Sequence, residues 1–139
     1  MASDTKSGFS EVERAAMKER AREAREFKKL PGEEQVQKKI AEMSPSDQEL
    51  ARGIHALVLA VSPELTTKTW YGMPAYCLGE KIICFFQAAS KFESRYCTFG
   101  FQDAANLDDG PLWPTSYAIT DLTDEVAKTL SSRVKKAIS

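Results

Sequence analysis

The chain predicts an α+β domain: a mixed or antiparallel sheet of about five strands packed against helices, with a charged helical extension before it. Three observations carry this. The run from Thr66 to Phe101 is apolar and aromatic and is broken by turn residues, as successive strands are. Segments on both sides of that run place apolar residues at helical spacing. The 139 residues suffice for one domain with a core that needs no disulfide or metal staple.

Charge divides the chain. Between Glu11 and Glu42, 17 residues are charged, nine basic and eight acidic, so this stretch reads as solvated helix. The boundary is drawn at Pro31-Gly32: residues 1–32 form the extension and residues 33–139 the α+β domain. Ser10 and Glu13 make a capping box, with Phe9 as the outer half of a staple, and open a helix that runs to about Leu30. Its apolar face is mostly alanine, which predicts a peripheral element. A short helix follows over about Glu33 to Met43. The next is better specified: Ser44 as N-cap, Pro45 in the first turn and Asp47 as capping acid. Leu50, Ile54, Leu57, Val58 and Val61 then form one stripe, and Ser62-Pro63 ends it.

The sheet begins with a strand over Thr66 to Tyr71. Gly72 and Pro74 suggest a bend or bulge near a sheet edge. Gly79-Glu80 reads as a two-residue turn between strands at Ala75–Leu78 and Lys81–Ala88. Further strands are expected over Tyr96 to Phe101 and Ser116 to Ile119, with one helical turn from Asp103 to Asn106 and turn chemistry at Asp108-Asp109-Gly110-Pro111. A closing helix from about Thr123 to Ile138 presents Val126, Leu130, Val134 and Ile138 inward.

With Gly79-Glu80 as the turn, Cys77 is expected opposite Ile82 and Tyr76 opposite Ile83. One sheet face then carries Ala75, Cys77, Ile82, Cys84 and Phe86, and the other Tyr76, Leu78, Ile83 and Phe85. Both are apolar, whereas a two-layer domain covers one face with helices. Three covers remain open for the second face: the chain itself, a partner subunit in a homodimer, or a ligand.

Nineteen basic and twenty acidic residues leave a formal charge of −1, which gives no field for nucleic acid or an anionic membrane. No apolar run approaches the ~20 residues of a membrane span, and the N-terminus lacks a signal-peptide core. A cytoplasmic location is expected, and three cysteines without a Cys-x-x-Cys pair agree as reduced core thiols.

The segment Trp70-Tyr71-Gly72-Met73-Pro74-Ala75-Tyr76, followed by Lys81 and Phe85-Phe86, resembles the signature of the YdhG-like family, a bacterial group whose members are often named frataxin-like iron chaperones. The resemblance spans about Glu34 to Ile138. It implies an α+β fold with a mixed or antiparallel sheet, and iron as the cofactor or cargo. The first helix mixes signs, so acidic side chains for a cation are sought in the run Asp103, Asp108, Asp109, Asp121, Asp124 and Glu125. Asp108 and Asp109 are the candidates, with turn and cap roles as the alternative.

The candidate ligand site is aromatic: Trp70, Tyr71, Met73 and Tyr76 about the Gly-Pro bend, joined by Trp113. The alternative is that these rings fill the core. No catalytic set stands out. The single histidine, His55, falls off the apolar stripe of its helix and reads as an exposed structural residue. The function expected is that of a non-enzymatic binding protein for a small molecule or protein partner. The alternatives are an iron-binding chaperone and a structural or dimerisation module.

Overall fold

The computed structural model describes residues 10–139. The chain divides into two units, Met1–Pro31 and Gly32–Ser139. In the first, helix α1 (Glu11–Lys28) starts at the expected capping box, with the Ser10 hydroxyl accepting from Glu13 N–H and the Glu13 carboxylate accepting from Ser10 N–H. It buries none of its residues and is laced by ion pairs of Arg22 with Glu19 and Glu26. The expected staple at Phe9 lies outside the described residues.

The second unit runs α2 (Gly32–Ala41), α3 (Pro45–Val61), β1 (Thr66–Trp70), β2 (Met73–Leu78), β3 (Lys81–Gln87), a 3₁₀ turn (Ser90–Phe92), β4 (Cys97–Phe101), β5 (Ser116–Ile119) and α4 (Asp124–Ala137). The five strands form one antiparallel meander in the order β1-β2-β3-β4-β5. Helix α3 packs between α2 and α4, and α2 lies on β1 and β2. The core joins Val36, Ile40, Ile54, Val58, Leu130 and Val134 of the helices to Tyr76, Cys84, Phe86, Phe99 and Phe101 of the sheet. No helix among the described residues is long and apolar enough to cross a membrane. The turn expected after Asp103 is a single hydrogen-bonded turn, Ala105 N–H to Gln102 O, rather than a helix.

Two hairpin details differ from expectation, and both have local causes. The first is the register of β2 on β3. Cys77 does pair with Ile82, but Tyr76 pairs with Cys84, because a bulge inserts Ile83 between those pairs. The extra residue exchanges the faces beyond it. Cys84 and Phe86 join Tyr76 on the helix side, and Phe85 joins Ala75 and Cys77 on the face that α2, α3 and α4 leave free. Phe85 lies across Gly100 of β4, where a Cβ would come within 2.4 Å of its ring.

The second is at Tyr71-Gly72. These two residues are themselves the β1–β2 turn, closed by the Trp70–Met73 pair, and both have positive φ, 50° and 76°. That is the mirror-image turn that suits strand twist. Tyr71 occupies a position that Asn or Gly normally fills, at a cost of about 1–2 kcal/mol for an L-residue in the left-handed region. Pro74 then finds a tolerated place. In a two-residue hairpin the closing pair is hydrogen-bonded and pairs alternate, so Thr69–Pro74 is a non-bonded pair and the missing N–H faces β3. The β2–β3 pairing accordingly begins one residue later, at Ala75–Phe85.

Helix α2 starts in close contact with the sheet edge. A Cβ on Gly32 would lie 1.8 Å from the Thr67 carbonyl oxygen. Gly32→Ala is expected to lower stability by about 1–3 kcal/mol through this clash. Tyr71→Asn is expected to raise stability by about 1 kcal/mol by relieving the turn. Urea unfolding of the two variants checks both signs, and an unchanged midpoint for Gly32→Ala would contradict the close approach.

Candidate ligand pocket

The late start of β2–β3 pairing opens the sheet at its Met73 end, and a pocket of 320 Å³ occupies the opening. Met73 and Gly72 line it from the β1–β2 hairpin, Phe86 and Ala88 from β3 and the residues after it, and Met43 from the end of α2. Lys39 of α2, Glu42 just after it, and Ser90 and Lys91 of the 3₁₀ turn supply its polar groups. Lys39 pairs with Glu42 at 3.5 Å. The Lys91 ammonium donates to the Tyr71 carbonyl at 3.3 Å, which holds it over Gly72.

The 3₁₀ turn is fixed from below by Asp47. Its carboxylate accepts from Ser90 N–H at 2.9 Å, from Ser90 Oγ–H at 2.7 Å and from the Cys97 thiol at 3.3 Å. Burial opposes ionisation of Asp47, but the bonds from Ser90, Cys97 and Ser44 outweigh it and hold the carboxyl below its usual value. Burial and the adjacent Asp47 carboxylate push the Cys97 thiol up to about 11. A second pocket, 330 Å³, lies over this cluster, between the start of α3 and Arg95, Tyr96 and Thr120.

His55 corrects the expectation of an exposed residue: it is buried, and its ring bridges two elements. Nδ1 lies 2.9 Å from Tyr76 Oη, and Nε2 lies 2.9 and 3.0 Å from the two Glu33 oxygens. A carboxylate only accepts, so Nε2 carries a proton and donates to Glu33. In the neutral ring Nδ1 accepts from the tyrosine hydroxyl. Burial opposes ionisation of Glu33, while hydrogen bonds from Gln37, His55 and Thr67 bring its carboxyl below the ordinary value. Burial pushes the Tyr76 hydroxyl far up, so it stays protonated. His55 is inside because α3 packs against both α2 and α4 and meets Tyr76 of the sheet in the core, which widens its buried arc beyond the expected stripe.

The structure does not gather the aromatic candidates on one surface. Trp70 is half-buried on the helix-free face, edge-on to Phe85 at 5.4 Å. Tyr71 is 81% exposed at the turn. Met73 lines the pocket. Tyr76 is wholly buried against the helices, so the expectation that it shares an open face with Phe85 is corrected by the bulge. Trp113 packs at the margin of the core. Asp108 and Asp109 are exposed beside Gly110. Among the described residues no group of three or more His, Cys, Asp or Glu side chains is placed to hold a metal ion. The pocket residues the sequence did not single out are Lys39, Glu42, Met43, Phe86, Ala88, Ser90 and Lys91. Phe86 carried a signal, since the quoted motif contains it, but the others lie in unrelated segments that only tertiary packing unites.

Comparison with protein-family models, with curated proteins and with solved structures returned no match.

His55→Ala is expected to cost about 2–3 kcal/mol, because it leaves the Tyr76 hydroxyl buried without its partner. Tyr76→Phe should cost less, and the double variant should cost less than the sum. Strict additivity in urea unfolding would refute the bridge. The depressed carboxyls fix the acid limb. Glu33 and Asp47 contribute stability that is complete above the unfolded carboxyl values near 4 and is lost as pH falls through their lower folded values. Asp47→Asn should therefore flatten the fall in stability between neutral and acid pH, which denaturant titrations across that range would measure; an unaltered slope contradicts it.

Proposed function

We propose that the protein is a non-enzymatic, cytoplasmic binding protein that takes a small molecule in the pocket beside Met73, rather than across the aromatic strip of the helix-free face. The observation that carries this is the pocket. At 320 Å³ it falls at the small end of the roughly 300–1,000 Å³ range of ligand sites, and its lining mixes apolar side chains with polar groups in nearly equal measure. The strained Tyr71-Gly72 turn agrees, since left-handed non-glycine residues cluster at functional sites. The pocket is supported on rigid elements: α2 is anchored through Glu33, and the 3₁₀ turn through Asp47.

Binding rather than catalysis is favoured by the state of the nucleophiles. The Tyr76 hydroxyl is enclosed, and burial raises all three thiols above their ordinary value. The cytoplasmic reading is supported by Cys77, Cys84 and Cys97 all being free and buried. A second reading, self-association through the helix-free face, is favoured by the half-exposed rings of Trp70 and Phe85.

Benzyl alcohol titrated into isotope-labelled protein separates the two. The pocket reading expects saturable shifts at Gly72, Met73, Phe86 and Ala88, and their loss in Met43→Trp. Shifts confined to Trp70, Ile82 and Phe85, or concentration-dependent broadening there without added probe, would move the binding surface to the helix-free face.

A further inference from the structure

We infer that the pocket selects a small monocarboxylate with an apolar body. This rests on the pocket reading above and adds the chemical class of the ligand. The side chains of Met43, Met73, Phe86 and Ala88 are hydrocarbon, thioether and aromatic, which suits an alkyl or aryl body. The ionisable groups of the lining are Lys39, Glu42 and Lys91, a net charge of +1. Glu42 is matched within the lining by Lys39 at 3.5 Å. Lys91 remains as the uncompensated cation. Its hydrogen bond goes to a neutral carbonyl, that of Tyr71, which positions the ammonium while leaving further N–H donors of the three it carries.

Two features narrow the anion. One net positive charge balances a monoanion. A phosphate ester, with nearly two charges and three acceptor oxygens, is served by arginine forks or several cations, and the lining contains no arginine. A carboxylate needs one or two charge-assisted bonds, and an ammonium supplies them as a point charge. The Lys91 position is also prepared before binding. The Asp47 carboxylate fixes Ser90, the residue before it, and the Tyr71 carbonyl fixes the ammonium itself. A ligand therefore meets an exposed cation that one hydrogen bond already holds at the edge of the pocket, which reduces the entropy lost on binding.

Three probes of nearly equal size test this on the full chain: hexanoate, 1-hexanol and hexylamine, followed by chemical-shift titration at neutral pH. Hexanoate is expected to bind about two- to fivefold tighter than 1-hexanol, the difference an ion pair to the exposed Lys91 supplies. Hexylamine should bind weakest. Lys91→Met should bring hexanoate to the level of 1-hexanol, and Lys91→Gln serves where the methionine variant does not fold. Raised salt should weaken hexanoate alone. Equal binding of the three probes at Met73 and Phe86 overturns the carboxylate inference and leaves the pocket standing. If none of the three shifts those residues, the pocket reading itself fails.

Discussion

The hydrogen-bonded line from Tyr76 through His55 to Glu33 is the constraint that orders the rest of the domain. Tyr76 is a large ring with a polar tip at the centre of the helix-covered sheet face. A hydroxyl there is tolerable only with a partner, since an unpaired buried polar group costs about 1–3 kcal/mol. His55 supplies that partner and must itself be satisfied at its other nitrogen, which draws in Glu33. Glu33 stands in the first turn of α2, where the helix dipole also favours a carboxylate. One buried side chain thus sets where α2 sits, and Gly32 lets it sit directly on the β1 backbone.

From that placement the pocket follows. With its start held on β1, α2 brings its far end, Lys39 to Met43, over the Met73 end of the sheet. There Pro74 has ended the pairing of β2 with β3, so an opening remains instead of continuous ladder. The bulge at Ile83 acts farther along the same strand pair. It turns Phe86 toward the helices, where it lines the pocket, and Phe85 toward the other side. Two departures from regular pairing, one residue each, decide which aromatic rings face the ligand site.

Much of the fold was legible in the sequence. The N-caps Ser10 and Ser44, the strand segments, the closing helix and the Gly79-Glu80 turn all follow from local chemistry. What escaped is what local chemistry does not encode. The bulge is a property of two strands together, and counting outward from the turn gives the wrong partner for Tyr76. Tyr71-Gly72 did not announce a hairpin, because tyrosine is a poor occupant of a left-handed position. His55 looked solvent-facing because a stripe read from one helix assumes one neighbour, and α3 has several. The candidate site was half legible for the same reason. Met73 was in view from its motif, but the lysines that give the pocket its charge come from segments whose meeting depends on the bulge, the proline and the His55 bridge at once.

The simple strand order has a kinetic side. Each strand pairs only with its neighbours in sequence, so the sheet can zip hairpin by hairpin as the chain is synthesised, without the long loop closures that slow non-local folds. The exception is α4, which must return to pack on α3 from the far end of the domain. Until α4 is made, α3 lacks the helix it packs against, so part of its apolar side stays open in the nascent chain.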